Sequence, residues 1–228
     1  YYAFYLDQDK KLWVRVGLDT LGKVHLFDTQ FFNSRTICSI DGQRNYVVKN
    51  DKGKVSNIVS AYFGSKNGIE VTDVAHDTKL SYFRDSQTPF PDAYVYQVNT
   101  EDSSNWYLAT SIGLILFEET SKHFKIFRQY DDLTIGSVFA SKKINDTILA
   151  VSTQSQGILL FNKNSCQFTS KILYETVGNL GLNLKQVNQI HKDQNNNIWI
   201  TSRSSGINYD NICKQKFELT EIFANRSI

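Results

Sequence analysis

Four histidines, three cysteines and a scatter of aspartates are the side chains of this 228-residue chain best suited to making and breaking bonds. The histidines, His25, His76, His123 and His191, contain no HxxxH or HxH pair, so a metal site would have to be assembled from separate parts of the chain. Cys38, Cys166 and Cys213 are an odd number with no CxxC pair, which argues against a zinc site and against a disulfide framework; free, buried thiols are expected, with one disulfide and a leftover thiol as the alternative. Paired carboxylates could serve as acid and base on a glycosidic bond. Asp7, Asp9 and Asp193, however, fall in short polar turns, where an aspartate accepts hydrogen bonds from backbone amides. Asp28 and Asp210 close strands in the same manner, and the doublets Glu118-Glu119 and Asp131-Asp132 are expected in solvent. No GxSxG elbow, phosphate-binding loop or GxGxxG sequence is present. Asn145-Asp146-Thr147 and Asn225-Arg226-Ser227 fit the glycosylation acceptor pattern, which is too short and frequent to carry weight. The expectation is a protein that is not an enzyme and that holds no metal and no cofactor.

The elements around these residues read as strands. With 12 Tyr, 15 Phe and 3 Trp against 2 Pro, the composition favours the pleated, half-buried surface of a sheet. The 25 basic and 23 acidic side chains leave a net charge of +2 with no basic block, so a nucleic-acid partner is not indicated. No apolar run approaches the roughly 18 residues of a membrane helix. The chain has no Met and no signal peptide, and is therefore expected to be a piece of something longer.

A repeat organises the whole chain. Its clearest copy runs from Val187 to Asp193, turns through Gln194–Asn197, continues as Ile198-Trp199-Ile200-Thr201-Ser202, and turns again to Gly206-Ile207-Asn208-Tyr209-Asp210. This is a strand, an Asp/Asn turn, a strand, a glycine turn and a third strand; Phe217–Phe223 supplies a fourth. The same order recurs around Trp13, Tyr62, Tyr107 and Ala150, and these five positions lie 43 to 49 residues apart. That period suits a four-stranded propeller blade, and the short, Gly- and Asn-punctuated segments exclude helical repeats. Gly68, Gly113, Gly157 and Gly206 sit where a hairpin reverses, and the aromatic of the second strand is expected to fill the wedge between blades. The chain therefore reads as an all-β β-propeller segment of about five blades, approximately 1–45, 46–90, 91–132, 133–183 and 184–228, belonging to a larger propeller.

Asp193 to Asp210, DQNNNIWITSRSSGINYD, resembles the regulator-propeller repeat, an Asp turn followed by WIGT, a Gly-Leu pair and an aromatic-Asp. The resemblance extends over nearly the whole chain, is strongest in this last repeat, and thins around Ala150, where the Trp is lost, and around Gly17, where the turn is longer. It implies the periplasmic or extracellular sensor region of a hybrid two-component receptor, anchored to a membrane and coupled to a histidine kinase outside this chain. It also implies an oligosaccharide ligand, and as partners the other propeller and signalling domains of the same receptor, acting as a homodimer. Family propellers typically have seven blades, so part of the ring lies elsewhere. A propeller glycosidase or lyase, and a protein-binding scaffold, are the alternatives.

On that resemblance a ligand is expected at the loops of one rim. The turns joining second and third strands carry Lys66 and Asn67, Gln156 and Arg203, and would gather with the longer connections 84–94 and 177–187. Amide and guanidinium groups suit sugar hydroxyls or carboxylates, and Tyr94 and Tyr96 could stack on a sugar ring. His191 sits beside Gln189 on the innermost strand of its blade and could face a central channel.

Overall fold

In the computed structural model the described residues are 2–7, 9–16, 21–28, 33–41, 44–50, 52–62, 67–84, 86, 89–100, 104–172, 187–195, 197–202 and 206–211. They form strands and turns only. The first sheet holds β1 (Tyr2–Leu6), β2 (Lys11–Val16), β3 (Leu21–Asp28) and β4 (Asn33–Asp41). The second holds β5 (Arg44–Lys49), β6 (Val55–Tyr62), β7 (Gly68–Asp73) and β8 (Thr78–Phe83). The third holds β9 (Val95–Asn99), β10 (Asn105–Thr110), β11 (Gly113–Glu118) and β12 (His123–Phe127). A small hairpin, β13 (Gln129–Tyr130) and β14 (Leu133–Thr134), precedes the fourth sheet of β15 (Val138–Lys143), β16 (Ile148–Thr153), β17 (Gly157–Asn162) and β18 (Gln167–Ile172). The fifth sheet shows three strands, β19 (Val187–Lys192), β20 (Asn197–Ser202) and β21 (Gly206–Asn211). The expected fourth strand at 217–223 lies outside the described residues. Each sheet is an antiparallel meander in chain order, as a blade requires.

The chain divides into two compact units, Tyr1–Tyr107 with Leu116–Phe124, and Leu108–Ile115 with Lys125–Ile228, so the dividing line runs through the third sheet. Within the first unit the innermost strands are neighbours in sequence order, β1 against β5 and β5 against β9; within the second, β15 lies against β19. Burial follows strand position. β10 and β11 are buried at nearly every residue, because a strand in mid-blade is covered on both faces, and their sequences NWYLAT and GLILFE are correspondingly apolar. The outer strands β8 and β12 are mostly exposed or half-buried.

The wedges between blades are filled in two ways. Trp13 of β2 is buried with Val24, Leu26 and Cys38 against Ile58 of the next blade, as the repeat predicts. In the second unit Ala150 stands where the Trp is lost, and aliphatics take over: Ile144, Ile158 and Leu160 pack on Val187, Ile190, Ile198 and Ile200. The first unit also holds an aromatic cluster, in which Phe117 meets Trp106, Tyr82 and Phe124 at ring centroid distances of 5.1, 5.0 and 4.8 Å. The Trp106 indole N–H is buried with no hydrogen-bond partner among the described residues, at odds with the two other tryptophans.

Those two are held by the first turn of their blades. The backbone N–H of Lys11 donates to Asp7 Oδ1 at 2.9 Å and Trp13 Nε1 donates to Asp7 Oδ2 at 3.0 Å. In the fifth blade Asn195 and Asn197 backbone N–H groups donate to Asp193 Oδ1 at 2.8 and 2.9 Å, and Trp199 Nε1 donates to Oδ2 at 2.9 Å. One carboxylate oxygen thus shapes the turn and the other pins an indole six residues on. Where the Trp is missing an asparagine suffices: Asn50 Oδ1 accepts from Lys52 and Lys54, and Asn145 Oδ1 from Thr147 and Ile148. At the third turns Asp73 and Asn162 cap backbone amides in the same way. The side chains of Asp28 and Asp210 lie outside the described residues.

Hydrogen bonds from Trp199 first, then from Asn197 and Asn195, hold the Asp193 carboxyl down at about 2. Its value in the unfolded chain is near 3.9. The lowered value means that the ionised form stabilises the fold above about pH 4, and that this stabilisation is lost as pH falls towards about 2. In denaturant titrations between pH 5 and pH 2, Asp193→Asn should lose less stability with acid than the native protein does. Parallel acid profiles for the two would refute the clamp's role.

Candidate ligand-binding surfaces

Asn67 immediately precedes Gly68, whose φ of +143° lets β7 start opposite Tyr62. From there the Asn67 Nδ2 donates to Asp92 Oδ1 at 3.3 Å, twenty-five residues further along. An ionised carboxylate only accepts, so this bond fixes the amide, and Asn67 Oδ1 is buried with no hydrogen-bond partner among the described residues. Arg84 Nη1 lies 3.7 Å from Asp92 Oδ2, both side chains well exposed. Tyr94, 45% exposed, stands two residues beyond. The β6–β7 turn and the connection from β8 to β9 therefore bring an amide, a carboxylate and a guanidinium together, with an exposed phenol ring two residues further along. Such a set offers acceptors and donors for hydroxyl groups and an aromatic ring.

Tyr96 has a different task. Its carbonyl oxygen accepts from Arg44 Nη1 and, at 3.3 Å, from the Tyr46 hydroxyl, tying β9 to β5. The Thr100 hydroxyl donates to the Val47 carbonyl alongside. Tyr96 is half-buried within this join.

Gln156 and His191 belong to the second unit, at different ends of their sheets. Gln156 lies in the β16–β17 turn, where its Oε1 accepts from Lys171 Nζ at 2.9 Å. His191 pairs in register with Trp199, next to the first turn of the fifth blade, and is exposed, as is Gln189. Lys66 and Arg203 lie outside the described residues. Of the seven residues singled out by sequence, Asn67 is joined to Asp92, and Tyr94 is exposed two residues further along the same connection. The structure adds two that sequence reasoning did not name, Arg84 and Asp92; their only signal was the length of connection 84–94.

Other reactive groups have local partners. Among the described residues no three His, Cys, Asp or Glu side chains gather as metal ligands would. Glu70 is buried on β7 and takes hydrogen bonds from the hydroxyls of Tyr62 at 3.4 Å and Ser81 at 3.2 Å, with Lys79 Nζ at 3.4 Å. Glu118 and Glu119 are half-buried rather than fully in solvent, and Glu119 pairs with Lys122. Cys38 and Cys166 are free thiols. Burial first, then the Asp77 charge, pushes the Cys38 thiol up to about 12, which keeps it unreactive, whereas Cys166 is half-buried and not buried as expected.

No family model matches the chain, and no curated protein sequence does. Solved structures do. The extracellular domain assigned to the hybrid two component system BT3049 of B. thetaiotaomicron aligns over 91% of this chain and 32% of its own length, at 17% identity and a TM-score of 0.51. The extracellular domain assigned to the one component system BT4673 of the same organism aligns over 90% of this chain and 26% of its own, at 15% identity and a TM-score of 0.61. The WD40 propeller domain of Doa1 aligns over 89% of this chain and 60% of its own, at 10% identity and a TM-score of 0.58. The chain spans about a quarter to a third of the length of the two receptor domains. At these identities the likeness speaks for fold, and it agrees with the Asp-turn, Trp and Gly order of the regulator-propeller repeat. The chain is a segment of a β-propeller built of four-stranded antiparallel blades, and shares that fold with extracellular domains of two-component-type receptors.

Proposed function

We propose that the chain is part of an extracytoplasmic, ligand-sensing propeller of a two-component signalling receptor, responsive to oligosaccharide and without enzymatic activity of its own. The observation that carries this reading is the joined set Asn67, Asp92 and Arg84, with the exposed Tyr94 two residues beyond, on a fold shared with receptor extracellular domains. Its donors and acceptors, with the exposed Tyr94 two residues along the chain, are of the kinds that bind a polyhydroxylated ring. In a homodimeric receptor, such a ligand would act by binding one arrangement of the subunits more tightly than the other.

Calorimetric titration against a panel of neutral and acidic oligosaccharides tests the proposal. Saturable binding to at least one sugar is expected, weakened roughly tenfold or more by Tyr94→Ala and by Asp92→Ala, as truncation of a central contact does. No heat across the panel would sink the carbohydrate reading. Cleavage of a bound sugar during long incubation would instead favour a propeller hydrolase or lyase.

A further inference from the structure

At the end of the second blade away from Asn67, the first two blades leave a cavity of about 500 Å³ between them. Its floor is apolar. Trp13 and Leu26 are buried there, while Ile37, Val55 and Val74 pack on the same cluster yet stay only partly buried. At the seam between the fourth and fifth blades eight buried side chains meet, with Ile148 packed against them and partly buried.

The rim is polar and carries more positive than negative charge. Lys11, Lys52 and Lys54 line it, against Asp7 and Asp9. Both oxygens of Asp7 accept hydrogen bonds from within its own turn, from the Lys11 backbone and the Trp13 indole. Lys52 and Lys54 are exposed, but the backbone beneath them is fixed. Both of their N–H groups donate to Asn50 Oδ1 at 3.0 Å, and Gly53, at φ +73°, donates to the Asn50 carbonyl at 2.8 Å. Two lysines are thus carried on a pre-shaped turn at the mouth of the cavity, which Thr36 also lines.

We propose that this cavity binds a small organic anion: a compact ring or pair of rings bearing a carboxylate, with the ring face on Val55, Ile37 and the Trp13 edge and the carboxylate between Lys52 and Lys54. The volume falls within the range of small-molecule sites, and its largely polar lining, with charged groups beside apolar ones, suits a ligand that is itself polar and charged. Lysine donates to a carboxylate through charge-assisted hydrogen bonds. The site is independent of the sensor reading, because it involves neither Asn67 nor Tyr94.

The test is a titration of the protein with three probes: sodium D-glucuronate, cyclohexanecarboxylate and D-glucose. Glucuronate is expected to bind saturably and at least tenfold more tightly than glucose, less tightly as salt is raised. The double variant Lys52→Ala, Lys54→Ala, which alters only exposed side chains, should weaken glucuronate roughly tenfold, whereas Asn67→Ala should leave it unchanged. Binding of cyclohexanecarboxylate as tight as that of glucuronate assigns the site to ring carboxylates in general; binding of glucuronate alone assigns it to acidic sugars. Either supports the proposal. Lack of saturation with both carboxylates, equal binding of glucose, or a double variant that binds like the native protein overturns it.

Discussion

Replacing Phe117 with alanine should destabilise the fold by about 3–5 kcal/mol, the range for truncating a fully buried phenylalanine. Phe117 has no exposed surface, and its ring meets Trp106, Tyr82 and Phe124 within about 5 Å. Truncation leaves a void that those three rings cannot close without leaving the positions set by their strands, so both the transfer term and the cavity term apply. Urea denaturation followed by near-ultraviolet circular dichroism would show it twice, as a lower midpoint and as a weaker aromatic signal in the folded baseline. Phe117→Leu keeps most of the volume and should lose less than half as much. A loss below about 1 kcal/mol for Phe117→Ala would mean that the cluster is not packed as described.

Gly113→Ala is expected to be nearly as damaging for a different reason. Gly113 begins β11 after the two-residue turn Ser111–Ile112, with a φ of +129°, a region that residues with a Cβ avoid. A Cβ built there would sit 2.4 Å from the Phe127 carbonyl oxygen, which is backbone and cannot rotate away. The strained conformation alone accounts for about 1–3 kcal/mol, and moving β12 to relieve the contact adds to it. The turn has no slack, because the Thr110 hydroxyl donates to the Gly113 carbonyl at 2.7 Å and the Ile112 N–H approaches the same hydroxyl at 3.3 Å. A total loss of about 3 kcal/mol or more in the denaturation midpoint is therefore expected, and a near-neutral Gly113→Ala would show that the hairpin adopts another turn.

The alternation of strands, Asx turns and glycine turns was legible along the chain because each feature is local. A turn residue acts within four positions of itself, and Gly113 and Gly68 are needed where the hairpins reverse. What the chain did not display is anything that depends on register across strands. Tyr62 looks like the counterpart of Trp13 by spacing, yet it closes β6 opposite Gly68, whereas Trp199 lies three residues short of the end of β20. The reason is turn length: the β6–β7 turn is two residues longer than the β20–β21 turn, so counting along the sequence slips. The indole bonds of Trp13 and Trp199 were likewise hidden, although the six-residue offset from Asp7 and Asp193 is the same in both. The candidate site was half visible. Asn67 and Tyr94 have the chemistry to be noticed alone, while Arg84 and Asp92 gain meaning only when a connection of unpredictable path returns to the β6–β7 turn.

The strictly consecutive pairing within every sheet has a kinetic consequence. Each hydrogen-bonded ladder joins strands separated only by a short turn, so the loop-closure entropy for a blade is small and the contacts that define it are mostly local. A blade can complete its ladder as soon as its own forty-odd residues have left the ribosome, with no need to wait for distant chain. What remains slow is the sealing of hydrophobic wedges between successive blades, since Trp13 stays wet until Ile58 arrives. The order of assembly is thus written into the topology: each blade forms first and is then locked by the one synthesised after it.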